Sequence, residues 1–129
     1  MKVLDSDIVI AALRGTSDAK DAVKALEERA ELAVASPTQY EVMLGAYLYG
    51  RKAQVDKTEE FFDKYQILPL DSPATKIAAS IRAKLMRKGV DVDDMDVLIA
   101  AVALKNEASI VTRNKEHFQR IEGLNVEEW

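Results

Sequence analysis

No cysteine occurs in the 129-residue chain. Disulfides, zinc–thiolate centres and thiol nucleophiles are thereby excluded, and a reducing cytoplasm suits the composition. Glycine (five) and proline (three) are scarce, as in a globular chain and unlike fibrous or Pro/Gly-rich sequences. No apolar run approaches the ~20 residues needed to cross a bilayer. Met1-Lys2 leads straight into Val-Leu-Asp, without the long apolar segment of a secretory signal. A cytoplasmic protein with no membrane partner is the expectation. The single histidine, His117, gives little support for Ser-His-Asp chemistry, and no Gly-rich phosphate loop is present. A basic surplus is missing as well. Lys and Arg number 18 against 22 Asp and Glu, a net charge of −4, which speaks against a general electrostatic grip on nucleic acid. That objection weakens where several acids belong to a metal site, because a bound cation reverses the local field.

Hydrophobic residues make up 48% of the chain, enough for one domain with a single core. Val3-Leu4 reads as a short strand, followed by a turn at Asp5-Ser6 and a short helix ending near Gly15. Ala19, Ala22, Val23, Leu26 and Ala30 form one stripe of a helix over 18–31. Leu32-Ala-Val-Ala35 is a second strand. Ser36-Pro37 supplies an N-cap and a first-turn proline for a helix that stops at Gly50. A further helix is expected over 56–65, then an edge strand at Ile67-Leu-Pro-Leu70, since proline cannot donate to a central ladder. Ser72-Pro73 repeats the capping signal for a helix ending at Arg87-Lys88-Gly89. The run from Val97 continues as a helix to about Lys105. Ser109-Ile-Val-Thr112 is another strand, and Asn125-Val126 starts a last edge strand. There is no repeat, low-complexity segment or linker. Strands alternating with helices in one small domain imply an α/β fold, a three-layer α/β/α sandwich on a central parallel sheet.

Within that fold, Asp5, Glu41, Asp94 and Asp96 fall where a strand stops or a helix begins, at the carboxyl edge where ligands usually bind. Carboxylates forced together raise one another's pKa unless a divalent cation neutralises them. Each acid also has a plain structural reading. Asp5 lies in a turn where one residue suffices as a cap, yet Asp5, Ser6 and Asp7 are all polar. Glu41, one turn inside its helix, is favoured there by the macrodipole. Gly45 lies four residues on, along the same face. A glycine costing a helix ~1 kcal/mol implies that a neighbouring backbone comes close there. Asp91-Val-Asp-Asp-Met-Asp96 holds more acids than capping needs, and Asp96 shares a face with the small residues Ala100 and Ala103. Mg²⁺ takes oxygen ligands and uses one or two direct carboxylates. The cluster suits one such ion, or two ~3.5–4 Å apart. After the strand ending at Thr112, Thr112 and Asn114 reach another sheet edge. His117, beside Phe118, reads as a surface or half-packed residue.

The ordered set Val3-Leu-Asp-Ser-Asp-Ile-Val9, Ser36-Pro-Thr-Gln-Tyr-Glu-Val-Met-Leu-Gly45, Asp94-Met-Asp-Val-Leu-Ile-Ala-Ala101 and Ile110-Val-Thr-Arg-Asn114, with Phe118 after it, resembles the PIN-domain ribonucleases, in particular the VapC-type toxins of toxin–antitoxin pairs. The resemblance runs over nearly the whole chain. It implies a metal-dependent endoribonuclease, usually a homodimer, that cuts RNA with Mg²⁺ or Mn²⁺ and is held by a cognate antitoxin. Asp5, Glu41 and Asp96 match the family's three acids, and Asp94 matches an acid of many relatives. Ser6 matches the Thr or Ser that steadies the first acid. The departure is at the fourth acid: this chain has Asn114 and His117 in the two places where relatives carry it, and Glu116 is one position off. A one-metal mechanism supported by Asn114 or Glu116 gains ground from that.

Two other readings stand beside this one. Asp5-Ser-Asp-Ile-Val9 also fits the first motif of haloacid-dehalogenase-like phosphatases, with Asp5 as nucleophile, Asp7 as acid and Ser36 as a later element. The missing fourth acid also fits a degenerate PIN-like module that binds RNA or protein without cutting.

Overall fold

Parallel strands need crossovers, and a computed structural model describing residues 1–129 supplies a helical one between each successive pair. The order is β1 (Lys2–Leu4), α1 (Ser6–Leu13), α2 (Ser17–Arg29), β2 (Leu32–Ala35), α3 (Ser36–Tyr49), α4 (Lys52–Asp63), β3 (Gln66–Leu68), α5 (Ser72–Arg87), α6 (Asp94–Lys105), β4 (Ser109–Thr112), α7 (Lys115–Gln119) and β5 (Val126–Glu128). The five strands lie in the order β3-β2-β1-β4-β5, and every pair is parallel. β1 is central. The chain builds outward from it to β3 on one side, then returns to build β4 and β5 on the other. That reversal places a topological switch point between β1 and β4, where an open parallel sheet forms a crevice at its carboxyl edge.

The period-two alternation of strand side chains divides the core in two. Val3, Ala33, Ala35 and Ile110 face α5, α6 and α7, whose Ala74, Ile99, Ala103 and Phe118 cover them. Leu4, Leu32, Val34 and Val111 face the other way, onto Ile8 and Val9 of α1, Val23 and Leu26 of α2, Val42 of α3 and Phe62 of α4. This is the α/β/α sandwich that alternation implied. Small residues let α6 lie close on its face of the sheet, since Ala100 and Ala103 are fully buried, and that closeness carries Asp96 to the sheet edge. A third cluster, including Ala78, Leu85, Val97 and Ala101, joins α5 to α6.

Several local expectations are revised. Ser36 does not cap α3 through its side chain; Ala35 holds the cap position, and Ser36 Oγ instead accepts the Leu70 N–H at 2.9 Å. Ser72 yields likewise to Asp71, whose carboxylate accepts the Ala74 N–H at 3.0 Å. α4 begins at Lys52, four residues before the expected start, and its exposed first turn carries a Lys52–Asp56 pair at 3.1 Å. α7 has too few residues to show a helical stripe in sequence. Phe118, fully buried, holds it against the core. Replacing Phe118 with Ala should cost about 3–5 kcal/mol in urea unfolding; a loss below about 1 kcal/mol would show α7 to be undocked.

Candidate active site

Asp5 is the first residue beyond β1 and caps α1. In the β1–β4 register Leu4 pairs with Val111, so the next residues along, Asp5 and Thr112, meet across the switch point. The Thr112 hydroxyl donates to Asp5 Oδ2 at 2.7 Å, and the Ser6 N–H donates to Oδ1 at 2.8 Å. The residue is only 3% exposed. Burial pushes its carboxyl up from 3.8 to about 6; the Thr112 bond opposes the rise, and the charges of Asp7 and Asp96 add to it.

Asp96 lies in the first turn of α6 and is half-buried. Burial raises its carboxyl too, followed by the charge of Asp93. His117 counters the shift, and Glu41 adds to it. Glu41 is half-buried on α3. Asp5 thus feels Asp96, and Asp96 feels Glu41, although the three come from different helix beginnings. No Lys or Arg pairs with any of them. One turn before Glu41, the buried Thr38 hydroxyl has no hydrogen-bond partner, an arrangement that costs about 1–3 kcal/mol unless something polar reaches it.

This donor set fits a divalent cation by its chemistry: carboxylate oxygens, partly desolvated, mutually repelling and without a basic side chain to offset them. It is not a closed cage. No three His, Asp or Glu side chains stand together at ligand spacing, so an ion held here would complete its shell with water beside one or two direct carboxylates.

The remaining candidates separate. Asp94 does not join the group as expected. Its side chain is 82% exposed and pairs with Arg82 at 3.1 Å, while Asp93 supplies the cap of α6 through the Met95 N–H. Ser6 steadies Asp5 through its backbone alone, and the hydroxyl expected of it comes from Thr112. Asn114 donates its backbone N–H to Thr112 Oγ at 2.9 Å. Glu116 is exposed on α7. His117, read from sequence as a surface residue, brings Nδ1 to 3.3 Å from Asp96 Oδ2. Gly45 has no neighbour within 4 Å of the place a Cβ would take. The expected close backbone is absent; Gly45 and Glu41 instead line an open groove of about 270 Å³.

Asp7 is fully engaged. It accepts the Arg113 N–H at 2.7 Å, the Ile8 N–H at 2.6 Å and the Trp129 indole N–H at 3.3 Å. The Arg113 guanidinium stacks 3.6 Å from the centre of the Trp129 ring and pairs with Asp18. An acid pinned in this way is not free to serve as the proton donor of a phosphatase. Nothing local in the sequence signals Arg113 or Trp129 as partners of Asp7, because the contacts require the β4 and β5 ends to be placed first.

A small α/β domain with uncompensated carboxylates at the switch point of a parallel sheet defines a class, and the comparisons place the chain within it. Residues 2–124 match the PIN domain, and the chain belongs to that family. It is 27% identical to Ribonuclease VapC2 of Rickettsia felis, over 98% of this chain and 96% of that protein. It is 32% identical to the tRNA(fMet)-specific endonuclease VapC of Shigella flexneri, over 77% of this chain and 76% of the relative. Among solved structures, DNA-bound VapBC from Salmonella typhimurium superposes with a TM-score of 0.89 at 27% identity, covering 99% of this chain and 97% of that one.

The raised Asp5 carboxyl has a signed consequence. The folded state binds this proton more tightly than the unfolded state, so the stability it contributes is full below pH ~4 and is lost as pH rises to about 6. In metal-free protein at pH 7, Asp5→Asn should therefore be more stable than the parent by about 1–3 kcal/mol, with the gap closing towards pH 4. Urea melts at the two pH values check this; a variant less stable at pH 7 would contradict it.

Proposed function

We propose that this chain is a metal-dependent endoribonuclease, the toxin of a toxin–antitoxin pair, in which Asp5, Glu41 and Asp96 hold Mg²⁺ or Mn²⁺. The observation that carries this reading is the group of three acids without a basic partner at the switch point, in a chain whose relatives are named ribonucleases. Asp94, exposed and paired with Arg82, is left out of the proposed set. A bound divalent ion supplies a water of lowered pKa and neutralises charge on the phosphate oxygens. The chain's own residues hold the donors in place. Thr112 and the Ser6 N–H fix both oxygens of Asp5, α6 lies close enough to the sheet to bring Asp96 beside it, and α3 brings Glu41. Asn114 supports Thr112 through its backbone. Pinning Asp7 to Arg113 and Trp129 keeps a fourth carboxylate from competing for the same ion.

RNA is the proposed substrate, with transfer RNA the first to try because relatives carry that specificity in their names. A cognate antitoxin is the proposed partner, in keeping with the VapBC complexes that share the fold, and the cytoplasm the proposed location. No helix is long and apolar enough to cross a membrane. Replacing Asp5 or Asp96 with Asn should lower RNA cleavage at least about 100-fold, beyond what losing a mere hydrogen-bond partner of a ligand costs, with an unchanged far-UV spectrum. EDTA should stop the reaction and added Mg²⁺ or Mn²⁺ restore it. Undiminished cleavage by Asp5→Asn would end this reading in favour of a binding module.

The proposed assembly is a homodimer. Tyr40, Leu44, Tyr47 and Leu48 make an apolar stripe on α3, each at least 43% exposed, with Met86 of α5 at 63%. Residues spaced in that way share one helix face, and a second copy presenting the same stripe covers it. Leu48→Lys should shift the chain from dimer to monomer in sedimentation at micromolar concentration. A parent that is already monomeric would refute the dimer.

A further inference from the structure

His117 is the one side chain at the acidic edge that the proposed reaction leaves without a task. It sits on α7 directly before Phe118, whose full burial fixes the helix to the core. The imidazole is placed by that anchor and yet is 56% exposed, so the ring is positioned but free to turn. Its Nδ1 stands 3.3 Å from Asp96 Oδ2. A charge-assisted N–H···O bond closes to ~2.7–2.9 Å, so this hydrogen bond is a long one. Two donors each ~2.1 Å from one ion, in neighbouring coordination positions, stand about 3.0–3.4 Å apart, and the observed separation falls in that range. His117 also borders a hollow of about 320 Å³ with Asp91, Val92, Asp93 and Arg120, so the ring is open to solvent on that side. Glu116 is exposed on the same short helix, and Asn114 is engaged through its backbone.

We propose that His117 is itself a ligand of the cation held at Asp96, so that this site has a mixed oxygen and nitrogen donor set and selects first-row transition ions such as Mn²⁺ over Mg²⁺. The chemistry follows from the donors. Mg²⁺ takes oxygen ligands and dehydrates reluctantly, so a nitrogen in its shell gains little. Imidazole is a ligand of the d-block ions, whose affinity for a nitrogen-bearing site climbs from Mn²⁺ along the series to Cu²⁺. The inference rests on the metal-dependent reading above, and binding measurements with the metal alone separate the two.

The full chain, untagged and stripped with EDTA, is titrated with MnCl₂ and free Mn²⁺ is followed by electron paramagnetic resonance, with and without competing MgCl₂. Because His117 is the only histidine, an imidazole ¹⁴N coupling to bound Mn²⁺ in pulsed spectra has one possible source. The expected result is that the parent shows this coupling and His117→Gln does not, while His117→Asp still binds Mn²⁺ but with a preference over Mg²⁺ reduced about tenfold or more. Bound Mn²⁺ with no ¹⁴N coupling in the parent, or an unchanged Mn²⁺/Mg²⁺ ratio in His117→Asp, overturns the role of His117 and leaves the carboxylate site standing. Absence of Mn²⁺ binding, or binding that survives Asp5→Asn together with Asp96→Asn, overturns both.

Discussion

One hydrogen bond across the switch point, from the Thr112 hydroxyl to Asp5, fixes the buried carboxylate at the place where the chemistry is proposed to occur. It exists because β1 and β4 are parallel neighbours in a register that brings their first residues past the ladder side by side. Without it, a carboxylate 3% exposed between apolar strands would have one oxygen unsatisfied in a medium where that is costly. With it, Asp5 is held in place but remains electrically uncompensated. The surrounding helices supply further carboxylates and no ammonium or guanidinium group. Structure and charge are thus at odds at one point, and the proposed divalent ion would reconcile them.

The rest of the molecule divides around this conflict. The apolar layers on either side of the sheet contain almost nothing polar, so the cohesion of the fold comes from alternating strand residues and the helix stripes that cover them. Charge is confined to the rim. There it is sorted by pairing: Asp94 to Arg82, Asp71 to Lys105 at 2.6 Å, and Asp18 and Asp7 to the side chain and backbone of Arg113. Asp5, Glu41 and Asp96 differ from the many exposed unpaired acids in being partly or wholly buried at the switch point without a Lys or Arg partner. His117 is the neighbour that meets one of them.

Most of the layer architecture was legible in the sequence, since alternation and helical stripes are local patterns that survive into the core. β2, β4 and the end of α6 fall where those patterns put them. The capping residues were less legible: Ser36 and Ser72 carry the right chemistry, but tertiary contact diverted Ser36 to Leu70 and a better-placed Asp71 displaced Ser72. At the site, the acids could be picked out because each ends or begins an element. Their standing could not. Whether Asp94 or Asp96 turns inward depends on which face of α6 packs on the sheet, the face of Ala100 and Ala103 that Asp96 shares, while Asp94 meets Arg82 outside. That Thr112 and not Ser6 supplies the hydroxyl depends on strand register. Gly45 pointed to a close approach, whereas the structure has open space beside it, because glycine records only the absence of a side chain and not what fills the gap.

That open space beside Gly45 has a practical use. A Cβ put there meets nothing within 4 Å, and a side chain relieves the helix of some of its ~1 kcal/mol glycine penalty. In a chain with no natural cysteine, Gly45→Cys creates a unique attachment point on the wall of the groove that Glu41 lines. A fluorophore coupled at that position would report optically on whatever enters the groove, without any need to know the occupant beforehand.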